Sequence, residues 1–440
     1  MRAIIAMTKS GGIGYKGVLP WNIPEELSIF RTITDGCKIL VGNKTAKTLP
    51  RLKNRKVYCL SHNHRVKYMN DEKHVNSFNS VPSDCIVCGG AIIYDYFFKN
   101  NLIDKVYLSV IKKEYEYDTC FDLSNFENFV ITEMKEYDEF YHYILERTYS
   151  EEKQYLDILK NILSTASMRD TRNSETLSVF NTNMCFNLEK GFPLLTTKKM
   201  FVRGILEELF FFLLGKTDSK ELEDKNVNIW KGNTSREFLD NNNFSNRREG
   251  IMGEMYGYQW RFFNAKYNEE TGLPQEGSVG VDQLKYVVDL INTDPTSRRI
   301  LMTTYNPEQM FNGVLFPCHS LIIQFYVRDN KYLDMFAYNR SSDVFLGLPF
   351  NIASYAFLLH IVANMTSKVA GKLHITLGDT HIYKNHIDVC KEQMDRIPYK
   401  FPQLVIDKQI TLDNLNELKV SDFIINNYNH HSSLKAEMIA

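Results

Sequence analysis

The sequence predicts two domains, the first of the α/β class, and three observations support this. The 440 residues are more than one hydrophobic core ordinarily holds. The first third alternates short apolar runs with segments of helical periodicity. Near Thr148 this alternation gives way to an amphipathic helix pattern, and no linker rich in Pro, Gly or Ser intervenes. We therefore expect one domain over residues 1–148 and a second over residues 149–440, joined by a short connection.

The elements of the first domain follow from its apolar runs. We expect buried strands at residues 2–7, 38–42, 56–60 and 84–88, and helices at residues 24–33 and 91–99. Residues 105–111 and 140–147 alternate apolar and polar side chains. Such alternation is typical of antiparallel strands, so these two segments are expected to pair and to close the sheet.

The second domain begins with a predicted helix. Its apolar residues recur at helical spacing, at Tyr155, Ile158, Leu159, Ile162 and Leu163. Ser150 is a suitable N-cap for this helix, with two glutamates in the first turn. Residues 349–365 form the longest apolar stretch, but polar residues interrupt it, so we expect a buried helix and not a membrane span.

Composition limits the classes of function. Apolar residues make up 44% of the chain and charged residues 24%, which is typical of a soluble globular protein. The formal net charge of −1 argues against a dedicated nucleic-acid binder. Eight cysteines follow no regular framework, which suits a reducing compartment. The first residues lack the features of a signal peptide. We therefore expect a cytoplasmic protein that needs neither a membrane nor a nucleic acid.

A set of short motifs spans the first predicted domain. They are Gly12-Ile13-Gly14, Leu19-Pro20-Trp21-Asn22, the helix from Pro24 to Arg31, Gly42-Asn43-Lys44-Thr45, Cys88-Gly89-Gly90-Ala91 and Tyr117-Asp118-Thr119. In this order and spacing, they resemble dihydrofolate reductase. The resemblance implies a mixed, mostly parallel sheet flanked by helices, and a reaction in which NADPH reduces dihydrofolate.

Glu26 is the carboxylate that the resemblance places in the folate slot. It is expected to bind the pterin and, with water, to promote protonation of N5. Helical spacing puts Glu26, Phe30 and Ile33 on one face, and an acid on an apolar face is the usual setting for a raised pKa. The alternative is that Glu25 and Glu26 are both solvated charges of a first helical turn.

The resemblance also implies the other contacts of this domain. Phe30 is expected at the folate and Arg55 at its glutamate carboxylate, where bidentate pairing suits an arginine; the alternative for Arg55 is a surface charge. Gly89 and Gly90 follow a strand and precede a helix, where glycine lets backbone amides approach a pyrophosphate. The remaining NADPH contacts are expected at Ala6, Ile13, Lys44, Thr45, Ser61, His62, Ala91 and Tyr94, with Arg65 near the 2′-phosphate. Cys85 and Cys88 have the spacing of a metal or redox pair, but inert core thiols are the favoured interpretation.

The second domain contains a cysteine next to a strand and an arginine-rich motif after it. Pro317-Cys318-His319 precedes the apolar run 321–327, and Asn339-Arg340-Ser341-Ser342-Asp343 leads into Leu348-Pro349-Phe350-Asn351. These segments, with most of the chain from Tyr155 onward, resemble thymidylate synthase. The resemblance implies an α+β domain that forms a homodimer and converts dUMP to dTMP with 5,10-methylenetetrahydrofolate.

Cys318 matches the nucleophile of that reaction. C5 of dUMP is a poor nucleophile, and addition of a thiolate at C6 turns the ring into an enolate that can attack the one-carbon unit. We expect neighbouring arginines to lower the pKa of the Cys318 thiol. Glu208 lies in an apolar helix, where a carboxylate is costly unless it has a role, and the resemblance gives it one in proton transfers. Tyr256 is the third expected catalytic residue.

The other expected roles in the second domain are binding roles. The dUMP contacts are Arg340, Ser341, Asn351, His381, Tyr383 and Arg172, together with Arg298 and Arg299, which reach the other subunit's phosphate. The folate contacts are Trp230, Asn233, Asp343 and Lys198, with Lys199 as a second lysine near the tail. For Asn351 the alternative is a helix N-cap after Pro349. Residues 241–248 are expected to form a polar surface insertion at most.

Three positions depart from the family pattern. Arg172 is displaced by one residue and lacks the usual neighbouring glycines, Glu254 stands where a proline is common, and Asn339 replaces a glutamine. Catalytic groups remain in both domains, so we interpret the chain as a bifunctional enzyme with two consecutive reactions. Two alternatives stay open, namely one active domain with the other as scaffold, and an RNA-binding regulator built on a synthase fold.

Overall fold

The structure is a computed structural model that describes residues 1–61, 70, 73–171 and 174–438. It divides into two compact units. Unit 1 contains Met1–Ser150 and Ile397–Lys400, and unit 2 contains Glu151–Arg396 and Phe401–Ala440.

Unit 1 alternates strands and helices, as the sequence predicts. Its strands are β1 (Arg2–Thr8), β2 (Gly12–Gly14), β3 (Lys38–Gly42), β4 (Lys56–Leu60), β5 (Lys73–Val75), β6 (Ile86–Val87), β7 (Lys105–Ile111), β8 (Thr119–Cys120), β9 (Phe129–Glu136) and β10 (Phe140–Arg147). Its helices are α1 (Pro24–Thr34), α2 (Asn43–Thr48) and α3 (Ala91–Lys99).

The main sheet of unit 1 is mostly parallel. Within the described residues its strand order is β5-β4-β3-β6-β1-β7-β10-β9. All pairs from β5 to β7 are parallel, and β10 pairs antiparallel with β7 and with β9. The predicted closing pair at residues 105–111 and 140–147 is confirmed. The prediction missed β9, whose outer half is exposed, and it extended β6 by three residues.

Unit 2 combines long strands, most of them paired antiparallel, with helices. Its strands are β11 (Met168–Asp170), β12 (Glu175–Asn187), β13 (Tyr267–Asn268), β14 (Leu273–Pro274), β15 (Leu301–Thr303), β16 (Ile322–Arg328), β17 (Tyr332–Asp343), β18 (Val369–Tyr383), β19 (Gln403–Ile406) and β20 (Phe423–Asn426). Its helices are α4 (Lys153–Thr165), α5 (Val202–Leu213), α6 (Lys220–Glu223), α7 (Arg236–Asn241), α8 (Gly257–Phe262), α9 (Gln283–Thr293), α10 (Gly347–Met365) and α11 (Ile387–Met394).

The main sheet of unit 2 has one buried and one open face. In the part of the chain that the structure describes, its order is β11-β12-β18-β17-β16-β15. One row across the sheet, Met302, Ile323, Ala337, Ile375 and Met184, is buried throughout. Residues one position away face the other side, because successive strand side chains alternate. We call this side the open sheet face; it carries Leu301, Ile322, Gln324, Tyr326, Tyr338 and His374.

Helix α10 lies inside the core of unit 2. It packs against β17, β18 and α5, and most of its side chains are buried in the unit's hydrophobic cluster. Its length and apolar composition would suffice to cross a membrane, but most of it is buried within the fold. The predicted buried helix at residues 349–365 is confirmed, and it begins two residues earlier.

The start of α4 corrects one expectation. Ser150 is not the N-cap; Glu152 holds that position, and its side chain makes no capping bond. Glu152 is instead fully buried and accepts hydrogen bonds from the backbone N–H groups of Thr196 and Thr197, at 2.9–3.0 Å, and from both their hydroxyls at 2.6 Å. The glutamate therefore anchors a distant loop, a contact that local sequence cannot reveal.

Candidate active sites

A cavity of about 850 Å³ opens at the carboxyl edge of the parallel strands in unit 1. Strands β3, β4 and β5 end at this edge, and the residues that follow them, Asn43, Ser61 and Asn76, all line the cavity. Ligands of α/β sheets bind at this edge, because the loops after successive parallel strands meet there.

Six of the residues expected to contact NADPH line this unit 1 cavity: Ile13, Lys44, Thr45, Ser61, Gly90 and Ala91. Ala6, Gly89 and Tyr94 do not line it. Ala6 packs beside Trp21 and Ile23, and the buried Tyr94 donates its hydroxyl proton to the Ile4 carbonyl at 2.7 Å. His62 and Arg65 lie outside the described residues.

The glycine pair has a backbone that other residues rarely adopt. The peptide bond between Gly89 and Gly90 is cis, and Gly89 has φ +129°. A Cβ at Gly90 would lie 3.4 Å from Thr45 Oγ1. Helix α3 begins directly after the pair, so its free N–H groups and Lys44 are placed to receive an anion. The size and chemistry of this cavity fit an anionic dinucleotide.

Sequence reasoning missed the part of the unit 1 cavity that follows β5. Asn76, Ser77, Phe78 and Asn79 line it, and the ring of Phe78 stacks on Tyr96 with centroids 3.6 Å apart. β5 has only three residues and therefore no readable period. The sequence feature that could have identified this part of the cavity is the polar pair Asn76-Ser77, directly after the short strand β5.

Glu26 is buried on α1, whereas its neighbour Glu25 is exposed. The alternative of two solvated glutamates is therefore wrong for Glu26. Burial raises the pKa of its carboxyl, and a hydrogen bond with Ser109 partly offsets that increase. Phe30 and Ile33, one and two turns further along α1, pack against a neighbouring apolar cluster, as predicted for that helix face.

Arg55 is not a solvated surface charge. Only 8% of its side chain is exposed, and the guanidinium donates to the carbonyl of Lys53 at 2.6 Å, to the Thr34 hydroxyl at 3.1 Å and to the Arg31 carbonyl. Asp35 lies 3.6 Å away. These contacts fix the guanidinium beside the end of α1.

Unit 2 has a cavity of about 640 Å³. Four of the residues expected to bind dUMP line it, namely Arg340, Ser341, His381 and Tyr383. His381 and Tyr383 are two residues apart on β18, with ring centroids 5.1 Å apart, so the expectation that they share one face is confirmed. The other lining residues, which sequence reasoning missed, are Thr171, Thr176, Phe238, Asn242, Val314, Leu315, Phe316 and Asp379.

The segment 241–248 is more than a surface insertion. Asn242 lines the unit 2 cavity, and Arg247 is 6% exposed. Arg247 donates to both carboxylate oxygens of Glu269, at 2.6 and 2.9 Å, and to the Asn312 carbonyl at 2.7 Å. The polar composition of this segment gave no sign that Arg247 is buried and paired with Glu269.

Arg340 joins β17 to the loop that carries Cys318. Its Nε donates to the Pro317 carbonyl at 2.7 Å and its Nη2 to the Phe316 carbonyl at 3.0 Å. The backbone N–H groups of Arg340 and Ser341 both donate to the Cys318 carbonyl, at 3.0 and 3.4 Å. The cysteine and the cavity are thereby held together, although Cys318 is not itself a lining residue.

Cys318 lies against the Tyr256 hydroxyl. Its Sγ is 3.4 Å from the Tyr256 oxygen, and its backbone N–H donates to the same oxygen at 3.3 Å. That oxygen accepts a hydrogen bond from the amide N–H, so its own hydroxyl hydrogen can be donated to the sulfur.

The expectation of a lowered pKa at Cys318 is wrong. Burial raises the pKa of the thiol, and this effect exceeds the opposing influences of the Tyr256 hydroxyl and the Arg340 charge.

Tyr256 has an unusual backbone. Its φ is +44°, a region that non-glycine residues rarely occupy, and its side chain is 1% exposed. The next residue, Gly257, approaches Phe212 so closely that a Cβ would lie 2.4 Å from the Phe212 carbonyl oxygen. The Tyr256 ring stacks on His319, with centroids 4.3 Å apart. These contacts hold the hydroxyl at the thiol despite the strained backbone.

Glu208 on α5 accepts a hydrogen bond from Trp230 Nε1 at 2.7 Å. Burial raises the pKa of this carboxyl to about 7, and the hydrogen bond from Trp230 opposes the increase. A group with this pKa can both accept and donate a proton near neutrality.

Asn351 lies inside α10, whose N-cap is Leu346, so the alternative of an N-cap at Asn351 is wrong. Its Oδ1 accepts a hydrogen bond from Asn339 Nδ2 at 3.2 Å. Asn339 is fully buried and also contacts Ser320 and Tyr355. Asn339, the third departure from the family pattern, therefore contacts Asn351 directly.

The residues of unit 2 that are expected to contact folate differ from one another in burial and in hydrogen bonding. Trp230 and Asn233 are buried, and Asp343 accepts backbone N–H bonds from Phe345 and Leu346 at 2.9 and 3.2 Å. Lys198 does not face solvent: it is 5% exposed, its Nζ donates to the Phe345 carbonyl, and burial lowers its pKa to about 8. This placement disfavours the expected contact with a folate tail, because the ammonium is already enclosed. Lys199 is exposed.

The structure does not bring Arg298 and Arg299 to the cavity of their own unit. Both are exposed, just before β15, and in the described part of the chain neither forms an ion pair. Arg172 lies outside the described residues. Glu254, the second departure, is buried and accepts hydrogen bonds from Gln309 at 2.9 Å and Asn312 at 2.6 Å.

Metal ligation finds no support at the described positions. No group of three or more His, Cys, Asp or Glu residues there could hold a metal ion. Cys85 is buried, and burial raises the pKa of its thiol to about 12. Burial raises the pKa of Cys88 as well.

Comparison with known proteins agrees with this division into two sites. The dihydrofolate reductase family model matches residues 1–150, and the thymidylate synthase family model matches residues 153–440. The chain is 36% identical to a bifunctional dihydrofolate reductase-thymidylate synthase of Paramecium tetraurelia, over 99% of this chain and 98% of the relative. It is 31% identical to the corresponding protein of Zea mays, over 99% and 96%. It is 45% identical to the thymidylate synthase of Homo sapiens, over 65% of this chain and 90% of the relative.

Fold, sites and relatives define an enzyme of folate and thymidylate metabolism with two active sites on one chain. It carries an oxidoreductase and a methyltransferase. The chain belongs to the family of bifunctional dihydrofolate reductase–thymidylate synthases. Its synthase makes dTMP and dihydrofolate from dUMP and methylenetetrahydrofolate, and its reductase converts dihydrofolate to tetrahydrofolate with NADPH.

Proposed function

We propose that Cys318 is the nucleophile of the synthase, within a domain over residues 149–440. The observation that carries this proposal is the contact of its Sγ with the Tyr256 hydroxyl at 3.4 Å, beside the cavity lined by Arg340. Thiolate formation is opposed by burial, so the proton of Cys318 leaves only when other groups compensate. Tyr256 contributes by donating to the sulfur. Addition of the thiolate at C6 of dUMP forms a carbon–sulfur bond and moves the electron pair of the double bond into an enolate.

The dUMP anion is held at the wall that carries Arg340 and Ser341. Arg340 supplies the positive charge for the phosphate, and His381 and Tyr383, which line the same cavity, are assigned to the ribose 3′-hydroxyl. Asn351 reads the uracil edge; because its Oδ1 accepts from Asn339, its amide group has a defined orientation. Arg172 is assigned a smaller share of the phosphate binding.

Glu208 handles protons around the base and the folate. Its pKa of about 7 and its contact with Trp230 support this role. Trp230, Asn233 and Asp343 are the proposed folate contacts on this side. Lys198 is retained as a candidate only through water or a change in its side-chain position, because its ammonium is enclosed.

In the reductase domain over residues 1–148, Glu26 is the proposed proton-handling group. NADPH supplies the hydride when bound. Glu26, buried and with a raised pKa, binds the pterin and promotes protonation of N5 through water. Phe30 borders the pterin, and Arg55 binds the glutamate carboxylate of folate. The dinucleotide is assigned to the unit 1 cavity, with its pyrophosphate at Gly90, Ala91 and Thr45.

The synthase domain forms a homodimer through the open sheet face. Large apolar side chains remain exposed there, with Ile322 at 43% and Tyr326 at 65% exposure. Such a face is typical of an interface. Arg298 and Arg299 lie at its margin, before β15, and contribute to the phosphate site of the other subunit. The enzyme works in the cytoplasm on small molecules, without a membrane or a nucleic acid.

The test is to inactivate the two sites separately in the full chain. Cys318→Ser should abolish dTMP formation and leave dihydrofolate reduction near the wild-type rate. Glu26→Gln should do the reverse, with the largest loss of reductase rate at neutral pH, where proton supply limits the reaction. Loss of both activities in a folded single variant would refute the assignment of two independent sites. An unchanged pH–rate profile in Glu26→Gln would refute Glu26 as the proton-handling group.

A further inference from the structure

A buried carboxylate lies two residues before Tyr256, at the position where a proline is common in the family. Glu254 is 8% exposed. Its Oε1 accepts a hydrogen bond from Gln309 Nε2 at 2.9 Å, and its Oε2 accepts one from Asn312 Nδ2 at 2.6 Å. Both partners belong to residues 309–318, which end at the proposed nucleophile and which we call the cysteine loop. The carboxylate therefore connects the segment that carries the catalytic tyrosine to the loop that carries the thiol.

The segment before the tyrosine, residues 252–256, contacts the cysteine loop through its backbone as well. We call it the tyrosine segment. The N–H of Val314 donates to the Met252 carbonyl at 2.8 Å. A Cβ at Gly253 would lie 2.2 Å from the Asn312 carbonyl oxygen, so the two backbones approach each other as closely as a glycine allows. A change in the position of the loop therefore changes its position relative to the tyrosine.

The Gln309 amide has a fixed orientation. Its Oε1 accepts hydrogen bonds from Gln259 Nε2 at 2.9 Å and from Asn306 Nδ2 at 2.8 Å. Its Nε2 must then point to Glu254, because the amide oxygen cannot donate. With Asn312 Nδ2 at the second oxygen, both oxygens of the carboxyl are acceptors. This is the hydrogen-bonding pattern of an ionised carboxylate.

The charges around Glu254 have both signs. Burial raises the pKa of its carboxyl, and the hydrogen bond from the loop asparagine opposes that increase. Glu269 and Glu308 raise the pKa further, and Arg247 lowers it. The Tyr258 phenol nearby stays neutral, because burial raises its pKa. Arg247 is already paired with Glu269 at 2.6 Å, so a second carboxylate in contact with Glu254 would repel it with little compensation.

We propose that Glu254 is a positioning residue of the synthase, which holds the cysteine loop on the tyrosine segment so that the Tyr256 hydroxyl stays in contact with Cys318. The inference rests on the proposed roles of Cys318 and Tyr256. The Cys318 Sγ is 3.4 Å from the hydroxyl oxygen, so a displacement of the loop by about 1 Å breaks this contact.

This role differs from a general structural one in what it changes. The proposed phosphate and ribose contacts lie on β17 and β18 and not on the cysteine loop; they are Arg340, Ser341, His381 and Tyr383. Displacement of the loop should therefore slow thiolate attack more than it weakens dUMP binding. The single-turnover rate of dTMP formation should fall by about 3- to 10-fold, the equivalent of one neutral hydrogen bond.

The test places a second carboxylate against Glu254. In Gln309→Glu, a carboxylate oxygen replaces the amide nitrogen that lies 2.9 Å from Glu254 Oε1. Two carboxyls in such contact share a proton, and one of their two apparent pKa values is strongly raised. Below that pKa one carboxyl donates to the other and the contact survives, whereas above it they repel. The loss of rate relative to the wild type should therefore grow with pH.

The reciprocal exchange should reverse this loss. In the double variant Glu254→Gln/Gln309→Glu, the new amide donates to the new carboxylate, and its oxygen accepts from Asn312 Nδ2. Most of the wild-type rate should return, and the added pH dependence should disappear. Glu254→Gln alone is the matched control, because it keeps the size of the side chain and an acceptor without creating repulsion. At alkaline pH it should stay closer to the wild-type rate than Gln309→Glu does.

The rate is measured in the full chain from the appearance of dihydrofolate, without NADPH, so that the reductase does not consume the product. Calorimetric titration gives the dUMP affinity of each variant and verifies that unit 2 is folded. If Gln309→Glu does not fold, Asn312→Ala removes one of the two donors without adding a charge. It should show the same pattern, a slower reaction with a smaller change in dUMP affinity.

Three results would overturn the inference. They are a loss in Gln309→Glu that does not grow with pH, a double variant no faster than Gln309→Glu, and a loss of dUMP affinity as large as the loss of rate. Tyr256→Phe separates this failure from that of the proposed function. If it leaves the rate unchanged, the donor role of Tyr256 is wrong. If it slows the reaction, and Gln309→Glu has the same effect with and without the hydroxyl, only the role of Glu254 is wrong.

Discussion

Replacement of Glu208 by glutamine should make the synthase unit more stable at alkaline pH while it abolishes dTMP formation. The carboxyl has a pKa of about 7, against an ordinary value of 4.5, because burial disfavours its charged form. A difference of this size corresponds to roughly 3 kcal/mol of unfavourable free energy when the group is ionised in the folded state. Glutamine has nearly the same shape, stays neutral and keeps a side-chain oxygen. In the wild type, Trp230 Nε1 donates to the Glu208 carboxyl at 2.7 Å, and the glutamine oxygen can accept the same bond.

The sign follows from proton linkage. Below about pH 4.5 the carboxyl is protonated in both the folded and the unfolded state, so the glutamate carries no penalty. Between about pH 4.5 and 7 the unfolded chain loses its proton first, and the free energy of unfolding falls as pH rises. Above about pH 7 the full penalty is present. The gain in stability from Glu208→Gln should therefore be near zero in acid and reach its maximum above neutrality.

The measurement is urea unfolding of the full chain at several pH values, followed by tryptophan fluorescence. Trp230 and Trp260 lie in unit 2 and Trp21 in unit 1, so a Trp21→Phe background restricts the signal to the synthase unit. Glu207→Gln is the matched control. Glu207 precedes Glu208 and forms an ion pair with the exposed Lys225 at 2.6 Å, so its loss should cost less than about 1 kcal/mol at any pH.

Three outcomes would contradict this reasoning about Glu208. A stability difference between variant and wild type that does not grow from about pH 5 to about pH 8 would mean that the folded carboxyl titrates normally. Retention of synthase activity in the variant would show that the reaction does not need the ionisable carboxyl of Glu208. Loss of stability at every pH would show that glutamine disrupts the site for steric reasons.

Two further predictions concern dUMP. Arg340→Ala should weaken dUMP binding by about 10- to 100-fold, as expected for a charged hydrogen bond, and Arg172→Ala should weaken it much less; calorimetric titration measures both, and equal large losses would contradict the smaller role of Arg172. Mixing inactive Arg299→Ala with inactive Cys318→Ser protomers should restore part of the synthase activity, because one site of each mixed dimer then has an intact cysteine and an intact arginine pair. No recovery after verified subunit exchange would refute shared sites.

The sequence predicts the architecture of unit 1 well because its signals are local. Apolar runs mark β1, β3 and β4, and the helix α3 begins and ends where its pattern predicts. The segment from β5 to the residues after it was missed, because a three-residue strand has no measurable period. Tertiary packing, and not local preference, fixes that part of the nucleotide cavity.

The limits of sequence are clearest at Cys318 and Lys198. Neighbouring arginines suggested a lowered pKa for the thiol, but the sum of buried contacts decides its direction, and that sum depends on residues far apart in the chain. A lysine is ordinarily exposed, but the fold encloses the ammonium of Lys198 against Phe345. In both cases the sequence identifies the residue but does not predict the buried surroundings that set its pKa.

The same physical arrangement recurs in the two active sites. Glu26 lies on α1 of unit 1 and Glu208 on α5 of unit 2; burial raises the pKa of both, and one neutral donor, Ser109 or Trp230, partly offsets the increase. Neither carboxyl is paired with a cation among the described residues, and a cation would restore the ordinary acidity. Each reaction needs an acid that holds its proton near neutrality, so a buried glutamate with one neutral partner is suited to both. In each site burial raises the pKa of the carboxyl, and the neutral partner limits that increase without supplying a charge.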